Sequence, residues 1–560
     1  MTSARIKPSL KAALALASLL TPACALASPP PSQGAILQQK ALPPSLPTVP
    51  GPAITIAPQP QQNLPANVTV QVAKVTITGN SLIATATLET LLAPIIGRTV
   101  PLSQLDAAVA RITDAYHQAG YPLAYAYLPP QRIAGGGVRV VVVEPRYDQI
   151  LVEGHSRLRA AMVRHTAGLT PGAPVAEAPL DRGMLLLNQT PGVHVAGVLV
   201  PGASPGTTSL RLTPTDAPLL SGSVTQTDYG SHDTGSYLTS AVVNANDPFG
   251  YGSALSADGL LSDTGVFRAG GFTATSPDIW DGVRLGVYGS ATNYKLGDGF
   301  KALDQFGRAS QLGADLTAPL LLTPSQVLTL RFDVLNNWLA TSTRSVQATS
   351  QTDIPMERLS LSGACADRLG GVTSAALSVA YGRLELSSGA AKAADAAGPK
   401  AEGGFWLSQL QLQRQQELPM GFSLLATFSG QLASKNLDSS QQFYLGGPYG
   451  VMSYAVGAGG GDEGYLLTAK LVHPLLVPHL PGSLSAALLA QSGEVWVNHT
   501  PYAGAGRGNI VNENGAGVEL DYSLANWTLS AAFATQLGAN SSPLISSRRN
   551  QGWFSLSYDF

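Results

Sequence analysis

Charge is what this sequence has least of. Only 12% of its 560 residues are Asp, Glu, Lys or Arg, too few for a disordered chain of this length. Lys and Arg nowhere cluster and the net charge is -2, so the basic stripe that a nucleic acid needs is missing and none is expected as a partner. Cysteine is scarce too: of Cys24 and Cys365, the first falls in the leader described below, which leaves one thiol and no internal disulfide. Long apolar runs are the third absence. After residue 28 there is no stretch of about 18 apolar residues, which excludes helical membrane spans.

Catalytic signatures are also wanting. Residues 202–206 read G-A-S-P-G, the outline of a hydrolase serine. The residue after such a serine must donate a backbone N–H to the oxyanion, and Pro205 has none. The glycines at 457–464 are not followed by the Lys and Ser or Thr of a phosphate loop, and no helix is expected there. No two of the eight histidines stand at metal-ligand spacing. No enzyme activity, metal or cofactor is therefore expected.

What is present is glycine, 59 residues of it, with abundant Ser, Thr and Ala, and a mean hydropathy of +0.12. That balance suits a transmembrane barrel, whose strands are apolar on one face only. The chain opens with Arg5, Lys7 and Lys11, an apolar core and Ala25-Leu26-Ala27, an export signal over 1–27. Residues 28–67 are a Pro- and Gln-rich linker in which 32–42 forms either a short helix or a featureless tether.

Residues 68–146 read as a small β-α-α-β-β unit. Leu105, Val109, Ile112 and Tyr116 recur at helical spacing, and Gly120 sits where that helix stops. Tyr116 and Tyr121 suit core aromatics. A second unit with the same grammar fills 147–217. From 218 to the end, short alternating strands take over. In one, Leu328, Leu330, Phe332 and Val334 oppose Thr329, Arg331 and Asp333; in another, Val518, Leu520 and Tyr522 oppose Glu519 and Asp521. A charged second face fits a water-filled lumen and not a dry sandwich core. Eleven strand segments precede the glycine-rich stretch and five follow it. The expected fold is a 16-stranded transmembrane β-barrel preceded by two small α/β domains.

Residues 443–475 contain Gly446-Gly447-Pro448, Val451 and Tyr454. They resemble the long inserted loop of two-partner secretion transporters, outer-membrane barrels that carry POTRA domains. LPPQ at 128–131, ITGN at 77–80 and the Leu185–Asn188 helix end before Pro191-Gly192 resemble that family's two POTRA domains. The resemblance implies export of a large partner exoprotein, an adhesin or haemolysin, from the periplasm to the cell surface. It implies a barrel in outer-membrane lipid, POTRA domains in the periplasm, a plug helix at 32–42 and a barrel loop at 446–462. It also implies that the partner adds a strand to the edge formed by Pro122, Leu123, Ala124, Tyr125, Ala126, Tyr127 and Leu128. Barrels of this kind end on an aromatic read by the barrel-assembly machinery, here Phe560. An assembly factor of the same superfamily and a passive porin-like barrel are the alternatives; the first should carry more POTRA copies and the second none.

One departure stands out. The family loop continues as Val-Arg-Gly before its aromatic, and that arginine meets an aspartate of a Phe-x-Asp-x-Gly wall strand. Here Met452 and Ser453 replace Arg-Gly, and the wall reads Gln491 before Gly493. With both charges gone together, the loop is expected to enter the barrel held by packing of Met452 and a polar contact from Gln491.

Overall fold

A computed structural model describes residues 30–40, 46–51, 68–506, 508–538 and 549–560. The export signal expected over 1–27 lies outside the described residues. The chain enters as a short helix, α1 (Gln33–Leu37), whose first turn is capped by the Ser32 hydroxyl accepting from the Ala35 N–H. It is little more than one turn, shorter than the segment expected to be helical.

The first α/β unit comprises β1 (Thr69–Val72), β2 (Lys74–Thr78), α2 (Thr85–Leu92), β3 (Arg98–Pro101), α3 (Leu102–Gln118), β4 (Tyr125–Tyr127) and β5 (Gly137–Val143). Its main sheet has the order β2-β5-β4, and β1 pairs with β3 beside it. The helical stripe closes the core: Leu105, Val109, Ile112 and Tyr116 are all buried. Gly120 takes φ +83° to end α3, a conformation a side chain resists. The Tyr116 hydroxyl donates to Glu144 at 2.7 Å and Tyr121 packs edge-on against its ring, so both are core aromatics.

The second unit repeats the plan with β6 (Arg146–Val152), α4 (Ala160–Ala167), α5 (Glu177–Asn188), β7 (Val193–Pro201) and β8 (Thr207–Asp216), in the sheet order β6-β8-β7. Leu180, Met184 and Leu187 of α5 bury against Val193, Val195, Leu210 and Leu212. Leu123 of the first unit joins this core, and the Glu177 N–H bonds the Gly120 carbonyl, so the two units share a packed junction.

Sixteen antiparallel strands then close into a barrel, eleven before the long loop and five after it. They run from 8 residues (Leu220–Thr227) to 19 (Ala348–Ala366). About 9–11 residues cross a bilayer, so the longest strands raise one side of the wall beyond the membrane band. Outward positions are apolar and exposed, Phe332, Val334, Val518 and Leu520 among them. Aromatic pairs Tyr381–Trp406 and Trp527–Tyr558 sit on the outer wall as a girdle would. Inward positions carry the polar set: Arg331 bridges Asp333 (2.8 Å) and Asp315 (3.2 Å), and Lys470 pairs with Glu519 (2.7 Å). The seam joins the last strand, Asn550–Asp559, to the first, and Phe560 extends it by exchanging both backbone hydrogen bonds with Gly222.

The second unit is bolted to three successive short turns. Arg159 donates its N–H to the Gly250 carbonyl and lays its guanidinium over the Tyr251 ring. Arg182 bridges Asp281 at 2.8 Å and reaches the Pro319 carbonyl; Leu185 and Leu186 pack on Leu322 and Val327. Gly282 (φ +87°) lies so close to Leu186 that a Cβ there would come within 2.6 Å of it.

Candidate functional site: a lumen with two occupants

Two segments fill the barrel. The first is α1. Ile36 is buried against Phe267, Tyr294 and Leu296, while Leu37 leans on a separate apolar patch of the wall that includes Leu335, Leu339 and Met356. The remaining ties are polar. Gln33 donates to the Arg308 carbonyl and accepts from Thr341, and the Gln39 side chain accepts from the Ser231 N–H and the Thr234 hydroxyl. Of the described residues 46–51, Pro47 accepts a hydrogen bond at its carbonyl from the Ser374 hydroxyl, and the Gly51 N–H bonds the Pro324 carbonyl at the turn end of the barrel. Residues 30–40 therefore sit inside the barrel; residues 41 and 42 of the segment expected as a plug lie outside the described part.

The second occupant is the long loop. Its base is a two-residue ribbon, Phe443–Tyr444 with Gly460–Gly461. From there Leu445, Val451 and Tyr454, each fully buried, form a dry cluster with Leu466, Val495 and Val511 of the wall. Tyr449 stands edge-on to Tyr229, which meets Trp553 in the same way. The loop thus lies inside the barrel. The polar contact that Gln491 makes with it is to backbone. The Gln491 carbonyl accepts the Met452 N–H at 2.9 Å and its amide N–H donates to the Gly450 carbonyl. Trp553 donates its indole N–H to the Met452 carbonyl at 2.7 Å, and Gln536 donates to the Ser453 carbonyl at 3.2 Å. The tip is held by its backbone, which is why a neutral amide serves where a charge pair would need a side chain. Met452 itself is half-buried and outside the apolar cluster.

Gly493 carries no side chain because Leu445 lies there: a Cβ would come within 2.4 Å of its Cδ2. Ser453 is buried against Gly515, its hydroxyl unpaired among the described residues. Sequence reasoning missed Glu513, which is fully buried beneath Gly459 and whose two oxygens have no hydrogen-bond partner among the described residues. Its signal was available: Val511, Glu513 and Gly515 share the inward phase of one strand. So the loop site has lost the arginine and the aspartate yet keeps an acid.

Plug and loop touch directly. A Cβ on Gly34 would fall within 1.9 Å of the Ser439 carbonyl oxygen, and one on Gly457 (φ +77°) within 2.8 Å of Ala35. Between them the open space is lined mostly by hydroxyls and amides, Ser223, Thr225, Ser240, Ser256, Gln409, Gln411, Ser429 and Ser555, with Asp258 of the wall and Lys40 of the plug segment facing it as charges.

The edge expected to receive a partner looks different from that expectation. Residues Tyr125–Tyr127 form an edge strand, but Thr113 of α3 already accepts the outward Ala126 N–H (3.0 Å), and His117 bonds the outward Ala124 carbonyl (3.1 Å). The helix is sealed onto the strand instead of walling an open groove, and Leu123 is taken up by the second unit.

Comparison with known proteins accords with this architecture. Residues 70–145 match the POTRA domain of the ShlB type. The heme/hemopexin transporter protein HuxB of Haemophilus influenzae strain 86-028NP is 28% identical over 400 residues, covering 71% of each chain. The outer membrane transporter CdiB of Escherichia coli O6:K15:H31 is 26% identical over 198 residues, 35% of this chain and 34% of that one. The solved structure of CdiB from Escherichia coli superposes with a TM-score of 0.73 at 18% identity, covering 91% of this chain and 94% of that chain, which bears on the fold. A closed sixteen-stranded barrel, an N-terminal ShlB-type POTRA domain and homology to HuxB and CdiB make this chain similar to the outer-membrane transporters of two-partner secretion systems.

Proposed function

We propose that this barrel exports a separate, unfolded exoprotein from the periplasm to the cell surface, as a two-partner secretion transporter. The observation that carries the reading is the lumen: open space lined mostly by hydroxyls and amides, and two segments of the chain's own length that fill the barrel without being part of its wall. A lining rich in hydroxyls and amides suits a polypeptide of any sequence better than it suits a selected ion. Both α/β units act as POTRA domains in the periplasm, where the partner is captured by strand addition, because backbone hydrogen bonds tolerate any sequence. The short turns bolted to the second unit would then face the periplasm, and the loop end the outside. Energy comes from folding of the exoprotein outside.

Phe560 serves assembly. Its ring is exposed on the lipid face while its backbone closes the seam, so Phe560→Ser should lower the amount of heat-modifiable folded barrel, and deleting the residue should lower it further. An unchanged amount in both variants would remove that role. The main test is export of an exoprotein encoded beside this gene, co-expressed with it. Deleting 68–145 should abolish surface display while the barrel stays inserted; continued display would overturn the assignment of the first unit as receptor.

A further inference from the structure

The sequence scatters its Arg and Lys, but the barrel gathers four of them on one patch of its lipid face. Register brings them together. Across the strands Phe267–Thr275, Arg284–Lys295, Gln305–Leu322 and Gln326–Thr343, Arg268 stands opposite Asn293, Asn293 opposite Arg308, and Arg308 opposite Ala340. Their neighbours in sequence fix which way they point. Phe267, Tyr294 and Ala309 belong to the apolar clusters that Ile36 and Leu37 of the plug join inside the barrel, so Arg268, Asn293 and Arg308 point outward. One rung farther from the turns Lys295 faces Phe306, and Arg344 holds its guanidinium over the Phe306 ring at 4.8 Å.

The patch stands at a defined height. On the turn side of it the outward positions are apolar and exposed: Phe272, Leu312, Val287, Leu285 and Leu316. Leu316 is eight residues from Arg308 on the same strand, about 26 Å of strand and about 20 Å of height at a tilt of about 40°. That is most of an apolar band about 25 Å tall, so the arginines sit at its upper edge, where lipid tails give way to headgroups.

Charge on the patch is unbalanced. Asp304 is its acid, bridging Lys295 at 2.7 Å and Arg344 at 3.4 Å. Arg268 donates its Nε–H to the Gly265 carbonyl (2.8 Å), and neither it nor Arg308 bridges a carboxylate among the described residues. A guanidinium beside hydrocarbon is stable only where its donors find an acceptor, and the fork geometry of arginine matches a phosphate. Arg268 and Arg308 are two strands apart, about 10 Å, the order of length of a disaccharide with a phosphate at each end. Asn293 between them offers an amide donor and acceptor to sugar hydroxyls. A glycerophospholipid with one phosphate would satisfy one arginine and leave the other.

We propose that Arg268, Asn293, Arg308 and Lys295 form a binding site on the lipid face for the headgroup of a phosphorylated glycolipid of the outer leaflet, one phosphate on each arginine. This rests on the transporter reading above, which puts the loop end outside. The inner face of the same strands seats Ile36, so the bound lipid lies across the wall from the plug.

The full chain in micelles is titrated with diphosphoryl lipid A, with its monophosphoryl form and with phosphatidylglycerol, and bound lipid is counted by native mass spectrometry. One diphosphoryl molecule should bind, more tightly than the other two lipids. Arg268→Gln with Arg308→Gln should weaken it about thirtyfold, the attraction of two surface cations, with heat-modifiable mobility reporting an intact barrel. Arg414→Gln is the control: it removes a charge from the turn end of the lipid face and should leave binding as in the wild type. If the double variant does not fold, Arg308→Lys replaces it, keeping the charge and losing the fork, and should weaken diphosphoryl binding while phosphatidylglycerol binding stays. Wild-type affinity in the variant used, an equal loss from Arg414→Gln, or phosphatidylglycerol bound as tightly as lipid A would each overturn the proposal. A wild type that exports its exoprotein and has no lipid A site would sink the patch and leave the transporter reading intact. One that binds lipid A at these arginines and exports nothing would sink that reading alone.

Discussion

Plug and loop share one lumen but are fastened by different physics. The loop tip buries three large side chains in a dry cluster and hands its backbone carbonyls and N–H groups to Gln491, Trp553 and Gln536. The plug buries Ile36, rests Leu37 on the wall, and otherwise relies on hydrogen bonds to Thr, Ser and backbone groups that water can replace. Desolvated contacts leave unpaired groups behind when broken, whereas solvated ones exchange for water at a net cost of about 1 kcal/mol each. Of the two occupants, the plug is the one built to leave.

The largest effect should follow from Tyr454→Ala, which empties the centre of the dry cluster at a cost of about 3–5 kcal/mol and should release the loop. Added protease would then cut the loop in intact cells; a loop as resistant as in the wild type would erase the contrast with the plug. Gln491→Ala comes next. It strands the Gly450 carbonyl and the Met452 N–H, at about 1–3 kcal/mol, read as a lower unfolding midpoint of the purified barrel. Since Gln491 faces backbone, Met452→Arg with Gln491→Asp should export no better than Met452→Arg alone; rescue by the pair would mean that the side chains meet after all.

Deleting 32–42 should raise single-channel conductance several-fold in planar bilayers while the loop stays protease-resistant, and loss of that resistance would show the plug to be a strut for the loop. The smallest effect belongs to Gly457→Ala. A methyl group there meets Ala35 and must adopt a left-handed backbone, at about 1 kcal/mol, so the plug should yield first and conductance rise modestly. Unchanged conductance would mean that the two occupants move independently.

The barrel was legible because its signal repeats. Each strand carries a period of two, and a charged residue such as Asp333 or Glu519 at an inward position marks the phase without ambiguity. The helix α3 was legible for the same reason at a period of 3.6. What escaped were relations between segments. That Gln491 would bond the backbone of Gly450 and Met452, and not a side chain, depends on the depth to which the loop descends, which no local pattern encodes. The sealing of β4 by Thr113 and His117 was hidden because both residues look like ordinary polar helix positions. Glu513 escaped because attention rested on the wall strand before it, although its inward phase could be counted.

The hydroxyls and amides of the wall have a kinetic consequence. A transiting chain that trades hydrogen bonds among Ser223, Thr225, Ser240, Gln409 and Gln411 meets many shallow minima of nearly equal depth and no deep one. Motion over these groups has low friction and little memory of sequence, and the fixed charge that a passing stretch meets on this part of the wall is Asp258, with Lys40 of the plug segment facing the same space. The pore therefore has no direction of its own. Any bias in transit must be imposed at its two mouths, by how the chain is gripped on one side and how it collapses on the other.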